Sequence, residues 1–173
     1  MSGKLLFEEI EFDVEKEVWN SYELEDGNYR VTVRMRSILT KIVKPRIMHP
    51  DPLPLVGIPK ELQAQGQGHR QEMQMSFQNI VVVSNCPPEL MGPPSPPIPP
   101  SDLNQLSTEE IGFTAFSEDW NIYTLSPSGQ KIKVKLVVSS ISKPKGAYDQ
   151  FGYPLYIVQS TNAIAPVLPK LKK

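Results

Sequence analysis

The residue types that most often carry catalysis or bind metals are scarce in this chain. It has two histidines, His49 and His69, and one cysteine, Cys86. A zinc site needs roughly three or four converging ligands, and neither histidine has a second histidine or a cysteine at metal-ligand spacing. Cys86 is followed by Pro87, and no histidine in its sequence context is placed as a base. We therefore expect no metal site, and we expect Cys86 to be a buried or loop thiol rather than a nucleophile.

Phosphate binding and carboxylate-based catalysis also lack a sequence signature. The chain contains no G-x-G-x-x-G, no G-x-x-x-x-G-K-[ST] and no G-x-S-x-G pattern, so no nucleotide or other cofactor is expected. Acidic pairs occur at Glu8/Glu9 and Glu109/Glu110. An acid/base pair needs its two carboxyl groups in different environments, whereas repeated acidic pairs beside strands are more simply solvated surface. We predict no catalytic residues and a chain that is not an enzyme.

Two basic stretches are the alternative candidates for a binding site. Lysine and arginine recur at even spacings along two predicted strands, which places them together on the solvent-facing side. Cations on such a face could follow a phosphate backbone, as in small nucleic-acid-binding β-barrels. Lysine also keeps strand edges from pairing, and the formal net charge of the chain is only -1. The residues of this alternative site are Arg30, Arg34, Arg36, Lys131, Lys133 and Lys135.

The elements that would position these residues repeat within the chain. Residues 8–24 match residues 109–125 at one constant offset, and both tryptophans, Trp19 and Trp120, fall on equivalent positions. The shared pattern is E-E-I-x-F-x4-E-x-W-N-x-Y-x-L. A gapless match of such rare residues predicts an internal duplication.

Each copy has the pattern of antiparallel strands with little helix. Apolar and polar side chains alternate through a hairpin over residues 19–43, on either side of turn residues at 25–28. The second copy repeats the hairpin over 120–141, and the constant offset aligns residues 31–35 with residues 132–136. A predicted turn over 148–152 precedes the last strand of the second copy, and the strands that we expect to correspond in the two copies are Phe77 to Ser84 and Leu155 to Ser160.

The repeated Trp-Asn-x-Tyr motif has two interpretations. An exposed tryptophan and tyrosine could stack on a ligand, but on a regular strand Trp19 and Tyr22 face opposite sides. Large aromatic residues at equivalent positions of two copies usually fill equivalent cores. We therefore expect these aromatic residues to pack in the core rather than to form a ligand platform.

The fold class that we predict is all-β, with two tandem copies of a roughly four-stranded antiparallel unit, built as small barrels or as sandwich halves. A Pro-, Gln- and Gly-rich insertion interrupts the first unit, and a Pro-rich linker typical of polyproline II joins the units. The linker fits the permissive P-x-x-P ligand template, but a spacer packed along its own protein is the simpler interpretation. The predicted ranges are 1–86 for the first unit with its insertion at about 47–75, 87–106 for the linker and 107–173 for the second unit.

These features favour a binding function. The single cysteine, the absence of a secretory signal pattern and the lack of a long apolar run predict a cytoplasmic protein without membrane insertion. A repeated scaffold without a visible catalytic site predicts a non-catalytic interaction or assembly protein, a subunit or accessory module of a larger intracellular complex. Its partner would be another protein or a second copy of the chain. The alternative is nucleic-acid binding through the basic strands.

Overall fold

The computed structural model describes residues 6–46 and 73–170, and it confirms the all-β class. Within these two ranges, nine strands form one unclosed antiparallel sheet. Helix in the described ranges is limited to α1 (Pro100–Leu103) and one 3₁₀ turn (Pro88–Leu90), and neither is long and apolar enough to span a bilayer. The strands are β1 (Leu6–Glu9), β2 (Phe12–Lys16), β3 (Asn20–Asp26), β4 (Tyr29–Arg46), β5 (Gln74–Ser84), β6 (Thr108–Ser117), β7 (Asn121–Leu125), β8 (Lys131–Pro144) and β9 (Ile157–Pro166).

The strand order is β1-β4-β3-β6-β8-β7-β2, with β5 added to β4 and β9 added to β8. The described part of the chain does not divide into two separate sheets, because β6 joins the two hairpins. The two tandem four-stranded units, as small barrels or sandwich halves, stay a prediction. The first residues of β6, from Thr108 to Ile111, pair with β8, and its later residues, from Gly112 to Ser117, pair with β3. The chain therefore forms one continuous sheet rather than two sheets in tandem.

The apolar faces of the strands form two core clusters. Both long strands contribute to both clusters, since β4 places Val33 in the first and Ile42 in the second, while β8 places Ile141 in the first and Val134 in the second. Each core thus takes side chains from both sides of the Pro-rich linker. Burial of each such side chain contributes roughly 1.5–3 kcal/mol to folding, so the two halves depend on each other for stability. The unit boundaries at 86 and 107 stay a prediction about sequence organisation.

The two halves follow the same pairing scheme, with one correction to the alignment. Asn20 and Asn121 lie 101 positions apart, whereas their strand partners Met35 and Val134 lie 99 apart. The pairing in the structure therefore differs by two positions from the predicted alignment of residues 31–35 with 132–136, because the second hairpin has two residues fewer between its paired positions. The internal duplication itself stays a prediction.

The Asn-x-Tyr part of the repeated motif links the halves. The Oδ1 atom of Asn20 accepts a hydrogen bond of 3.1 Å from the backbone of Asp119, and Oδ1 of Asn121 accepts one of 2.9 Å from the backbone of Val18. Tyr22 and Tyr123 are fully buried, one in each core, which confirms the predicted core role of the tyrosines. The motif therefore fixes each hairpin against the segment that precedes the other hairpin.

The insertion and the last strand are the two segments whose predicted ranges are compared with the structure. The insertion predicted at about 47–75 lies outside the described residues except for 73–75, of which 74 and 75 already belong to β5. The last strand was expected over 155–160 but runs from Ile157 to Pro166. The difference arises because Tyr148 and Pro154 form an isolated bridge, and Leu155 closes this loop with a 3.1 Å hydrogen bond to Ala147.

Candidate functional site

The six basic residues of the nucleic-acid alternative lie on β4 and β8, and acidic or aromatic side chains of the same chain contact all of them. Four form ion pairs, of which the shortest joins Arg36 to Glu17 at 2.7 Å. The pair between Lys135 and Glu118, at 3.3 Å, occupies the corresponding place in the other half. The other two ion pairs join Arg30 to Glu23 and Lys131 to Glu15, while Arg34 and Lys133 lie over indole rings.

The two tryptophans receive these cations. The guanidinium carbon of Arg34 lies 4.9 Å from the ring centroid of Trp19, and Nζ of Lys133 lies 4.6 Å from that of Trp120. Both rings are half-buried and belong to neither core cluster. The prediction that the tryptophans fill the core is therefore wrong, because each ring packs under a cation on the outer face of the sheet. A cation thus lies over each ring, where a base or sugar would otherwise stack.

Cys86 and the two glutamate pairs lie in different environments. Cys86 is partly buried, and burial raises the pKa of its thiol, which disfavours the reactive thiolate at neutral pH. The paired carboxylates Glu8/Glu9 and Glu109/Glu110 are solvent-exposed. Within residues 6–46 and 73–170, no group of three or more His, Cys, Asp or Glu side chains converges as a metal site. His49 and His69 lie outside the described residues.

Known proteins supply no template for the function. The chain matches no protein-family model, no curated protein and no solved structure. The site must therefore be identified from the geometry and chemistry of this chain.

The free edges of the sheet are the most unusual feature. In the described part of the chain, β5 pairs only with β4, and β9 pairs only with β8. These strands have eleven and ten residues, and neither contains a single Asp, Glu, Lys or Arg, although 21% of the whole chain is charged. The short strands β1 and β2, which also have one partner each, carry Glu8, Glu9, Asp13, Glu15 and Lys16. Natural sheets usually protect long edges with charges, so β5 and β9 lack the expected protection.

An apolar groove of about 480 Å³ runs beside the end of β5. One wall is the run Val81-Val82-Val83, whose first two side chains are each 41% exposed. The loop before β9 provides the other wall, through Phe151, Tyr153, Pro154 and Leu155. A second groove of about 410 Å³, lined by Ile98 and Leu103, lies on the linker side of Phe151. Phe151 lines both grooves and is 65% exposed.

The loop that carries Phe151 is held by hydrogen bonds around Asp149. Its Oδ1 atom accepts from the backbone N–H groups of Phe151 at 2.8 Å and Tyr153 at 2.9 Å. The Pro-rich linker binds the same loop, because the N–H of Gly92 donates to the carbonyl of Gly152 and the N–H of Ser95 donates to the carbonyl of Asp149, both at 2.9 Å. These contacts hold the loop in one shape while leaving the Phe151 ring in solvent.

Sequence reasoning missed this surface. The loop was predicted as a turn, but nothing in its sequence shows that the ring of Phe151 would remain outside the core. A usable signal did exist in the uncharged run from Gln74 to Ser84. Alternation of residue types alone could not show that this strand lies at an edge.

Proposed function

We propose that the chain is a non-catalytic assembly protein that joins a larger intracellular complex. Its free edges, β5 and β9, pair with strands of other polypeptides, and these include copies of the chain itself. The observation that carries this proposal is the lack of charge along both long edges, while the short edge strands β1 and β2 are charged. An exposed row of backbone N–H and C=O groups on such an edge is a template for another strand.

Exposed apolar side chains on the two edge strands support the same function. Val82 on β5 is 41% exposed, and Ile164 on β9 is 47% exposed. No residue of either strand is fully buried, so both strands present side chains that a paired strand would cover. Main-chain pairing would give affinity, and contact with these side chains would add apolar burial.

The basic strands give less support to the nucleic-acid alternative. Binding to phosphates gains most of its free energy from unpaired cations that release counterions. Here the cations of β4 and β8 already contact carboxylates or indole rings. A nucleic acid would have to break these contacts before it gained its own.

Light scattering on the purified full chain tests the assembly proposal. We expect the mass of the wild-type chain to rise above 19.5 kDa with concentration. Ile164→Lys on β9 should lower the associated fraction, because a lysine on an edge strand opposes pairing. Val14→Lys is the matched control, since Val14 is 53% exposed but lies on the charged strand β2. A mass of one chain at every concentration, for the wild type and both variants, would contradict the proposal.

A further inference from the structure

We infer that the groove between β5 and the Phe151 loop is a docking site for an extended, uncharged segment of a partner protein, which adds to the free edge of β5 as a further strand. The inference rests on the proposed function and specifies the partner at one of its two edges. The juxtaposition that carries it is an unpaired strand edge, at Val81 to Val83, facing a fixed apolar wall that contains Phe151.

The backbone of β5 determines the conformation of the occupant. Only an extended chain has N–H and C=O groups at the spacing that matches those of a strand edge. Such a chain would lie about 4.8 Å from β5. The consecutive residues Val81, Val82 and Val83 of β5 all line the groove, so an occupant that paired with the free edge of β5 would add a further strand to the sheet. A compact small molecule could fill the space but could not pair with successive backbone groups.

The walls determine the side chains of the occupant. Three valines line one wall, and Phe151, Tyr153 and Leu155 stand among the residues of the other. Among the described residues that line this groove, Asp149 alone is charged, and one of its carboxylate oxygens already accepts two backbone hydrogen bonds. Charged side chains would lose hydration here without gaining an opposite charge, apart from a cation next to Asp149. Small apolar side chains would gain contact with the valines and the phenyl ring.

Phe151 is the expected centre of the binding energy. Aromatic residues that stand in a preformed surface and become desolvated on binding dominate many interfaces. The loop around Asp149 is already fixed by hydrogen bonds to the Pro-rich linker, so little ordering is required on binding. Gly152 maintains this arrangement, because its φ is +84° and an added Cβ would lie 2.5 Å from the carbonyl oxygen of Gly92.

The test is calorimetric titration of the full chain with a short synthetic peptide of alternating threonine and valine. We expect wild-type binding, and we expect Phe151→Ala to weaken it about tenfold or more. Phe116→Ala is the matched control, because Phe116 is 82% exposed and lines a different cavity. This control should bind the peptide as the wild type does. Two further peptides of the same sequence carry N-methyl groups. In one, the methylated amides lie along one edge of the extended peptide, and in the other they lie along the opposite edge.

Strand addition predicts that N-methylation of one edge abolishes binding and N-methylation of the other does not, since only one edge faces β5. The inference is overturned if the wild type does not bind the peptide, if Phe151→Ala binds as tightly as Phe116→Ala, or if both methylated peptides bind equally well. It is also overturned if Phe151→Ala dissociates a wild-type oligomer that has no affinity for the peptide, because the occupant would then be a second copy. Failure of the peptide alone, with association still lowered by Ile164→Lys, would leave the assembly function standing.

Discussion

The hydroxyl group of Tyr123 donates a hydrogen bond of 3.0 Å to the carboxylate of Glu17, which lies 106 positions earlier in the chain. The same carboxylate pairs with Arg36 at 2.7 Å, and the side chain of Glu17 is only 9% exposed. The other half has the matching contact, in which the hydroxyl of Tyr22 donates to Glu118 at 2.9 Å. A buried phenol of each hairpin therefore binds a carboxylate that precedes the other hairpin, and this contact couples the two cores.

Removal of one phenol hydroxyl tests this coupling. We expect Tyr123→Phe to lower the free energy of unfolding by about 1–2 kcal/mol, because the partly buried Glu17 carboxylate loses a donor while Arg36 remains. Urea denaturation followed by tryptophan fluorescence gives this quantity. The control is Thr124→Val, which removes an exposed hydroxyl–carboxylate bond to Glu15 and should change stability by less than about 0.5 kcal/mol. Equal losses in the two variants would show that burial of the bond has no effect.

Alkaline pH provides a second test at the same residue. Burial, followed by the hydrogen bond to Glu17, raises the pKa of Tyr123 to about 12 from an ordinary value of 10.0. The folded state therefore disfavours the phenolate, while the unfolded chain ionises near pH 10. The contribution of Tyr123 to the free energy of unfolding is therefore fully present below pH 10 and is lost as the pH rises through about 12.

The measurement is the free energy of unfolding, from urea curves between neutral pH and pH 12. The wild type should lose stability above pH 10, and Tyr123→Phe should lose it less steeply because one titrating group is gone. The remaining slope would come from Tyr22 and Tyr156, whose pKa values are also raised by burial. Identical slopes for wild type and variant would show that Tyr123 is not held neutral by the fold.

The sequence indicated which residues form strands and which faces are buried, because alternation reports directly on burial. Tyr22 and Tyr123 could be placed in the core on that basis. The pairing of β6 with strands of both hairpins could not be predicted, since a repeating pattern does not tell which strand lies beside which. The pairing in the second hairpin differs from the predicted alignment because this hairpin has two residues fewer between paired positions, which a match of side-chain types does not show.

The candidate site was harder to predict than the fold. Phe151 lies in a segment correctly expected to turn, but its exposure depends on Asp149 and on distant linker residues such as Gly92. The basic residues were visible as a pattern, whereas their partners on other strands were not. Trp19 illustrates the same limit, because its size suggested burial and only the position of Arg34 shows why it stays at the surface.

A largely buried ion pair that contacts Tyr156 of the first core permits a sharper stability test. Nζ of Lys143 lies 2.6 Å from Oδ2 of Asp26, and the hydroxyl of Tyr156 donates to the same oxygen at 2.8 Å. We expect Asp26→Ala to cost about 3–5 kcal/mol, because it leaves the Lys143 ammonium partly buried without its carboxylate. The double variant Asp26→Ala, Lys143→Met should recover most of this loss in urea denaturation. A double variant no more stable than Asp26→Ala would show that the uncompensated charge is not the cause.

The exposed pair between Arg30 and Glu23 is the matched comparison for that experiment. Their side chains are 73% and 42% exposed, so solvent screens their attraction. Glu23→Ala should therefore change the free energy of unfolding by less than about 1 kcal/mol. If Glu23→Ala lowered the free energy of unfolding as much as Asp26→Ala does, the cause would be the substitution within the strand and not the burial of a charge.

The basic strands allow a direct test of the nucleic-acid alternative. Lys131 and Lys135 pair with carboxylates, and Lys133 lies over the ring of Trp120, so none of the three offers a charge free of contacts within the chain. We expect fluorescence anisotropy with a labelled single-stranded oligonucleotide to show only weak binding at low salt. Changing all three lysines to Gln should alter it by less than about threefold, because few counterions would be released. An affinity that falls steeply with salt and disappears in the triple variant would instead identify these strands as a phosphate-binding surface and would displace assembly as the preferred function.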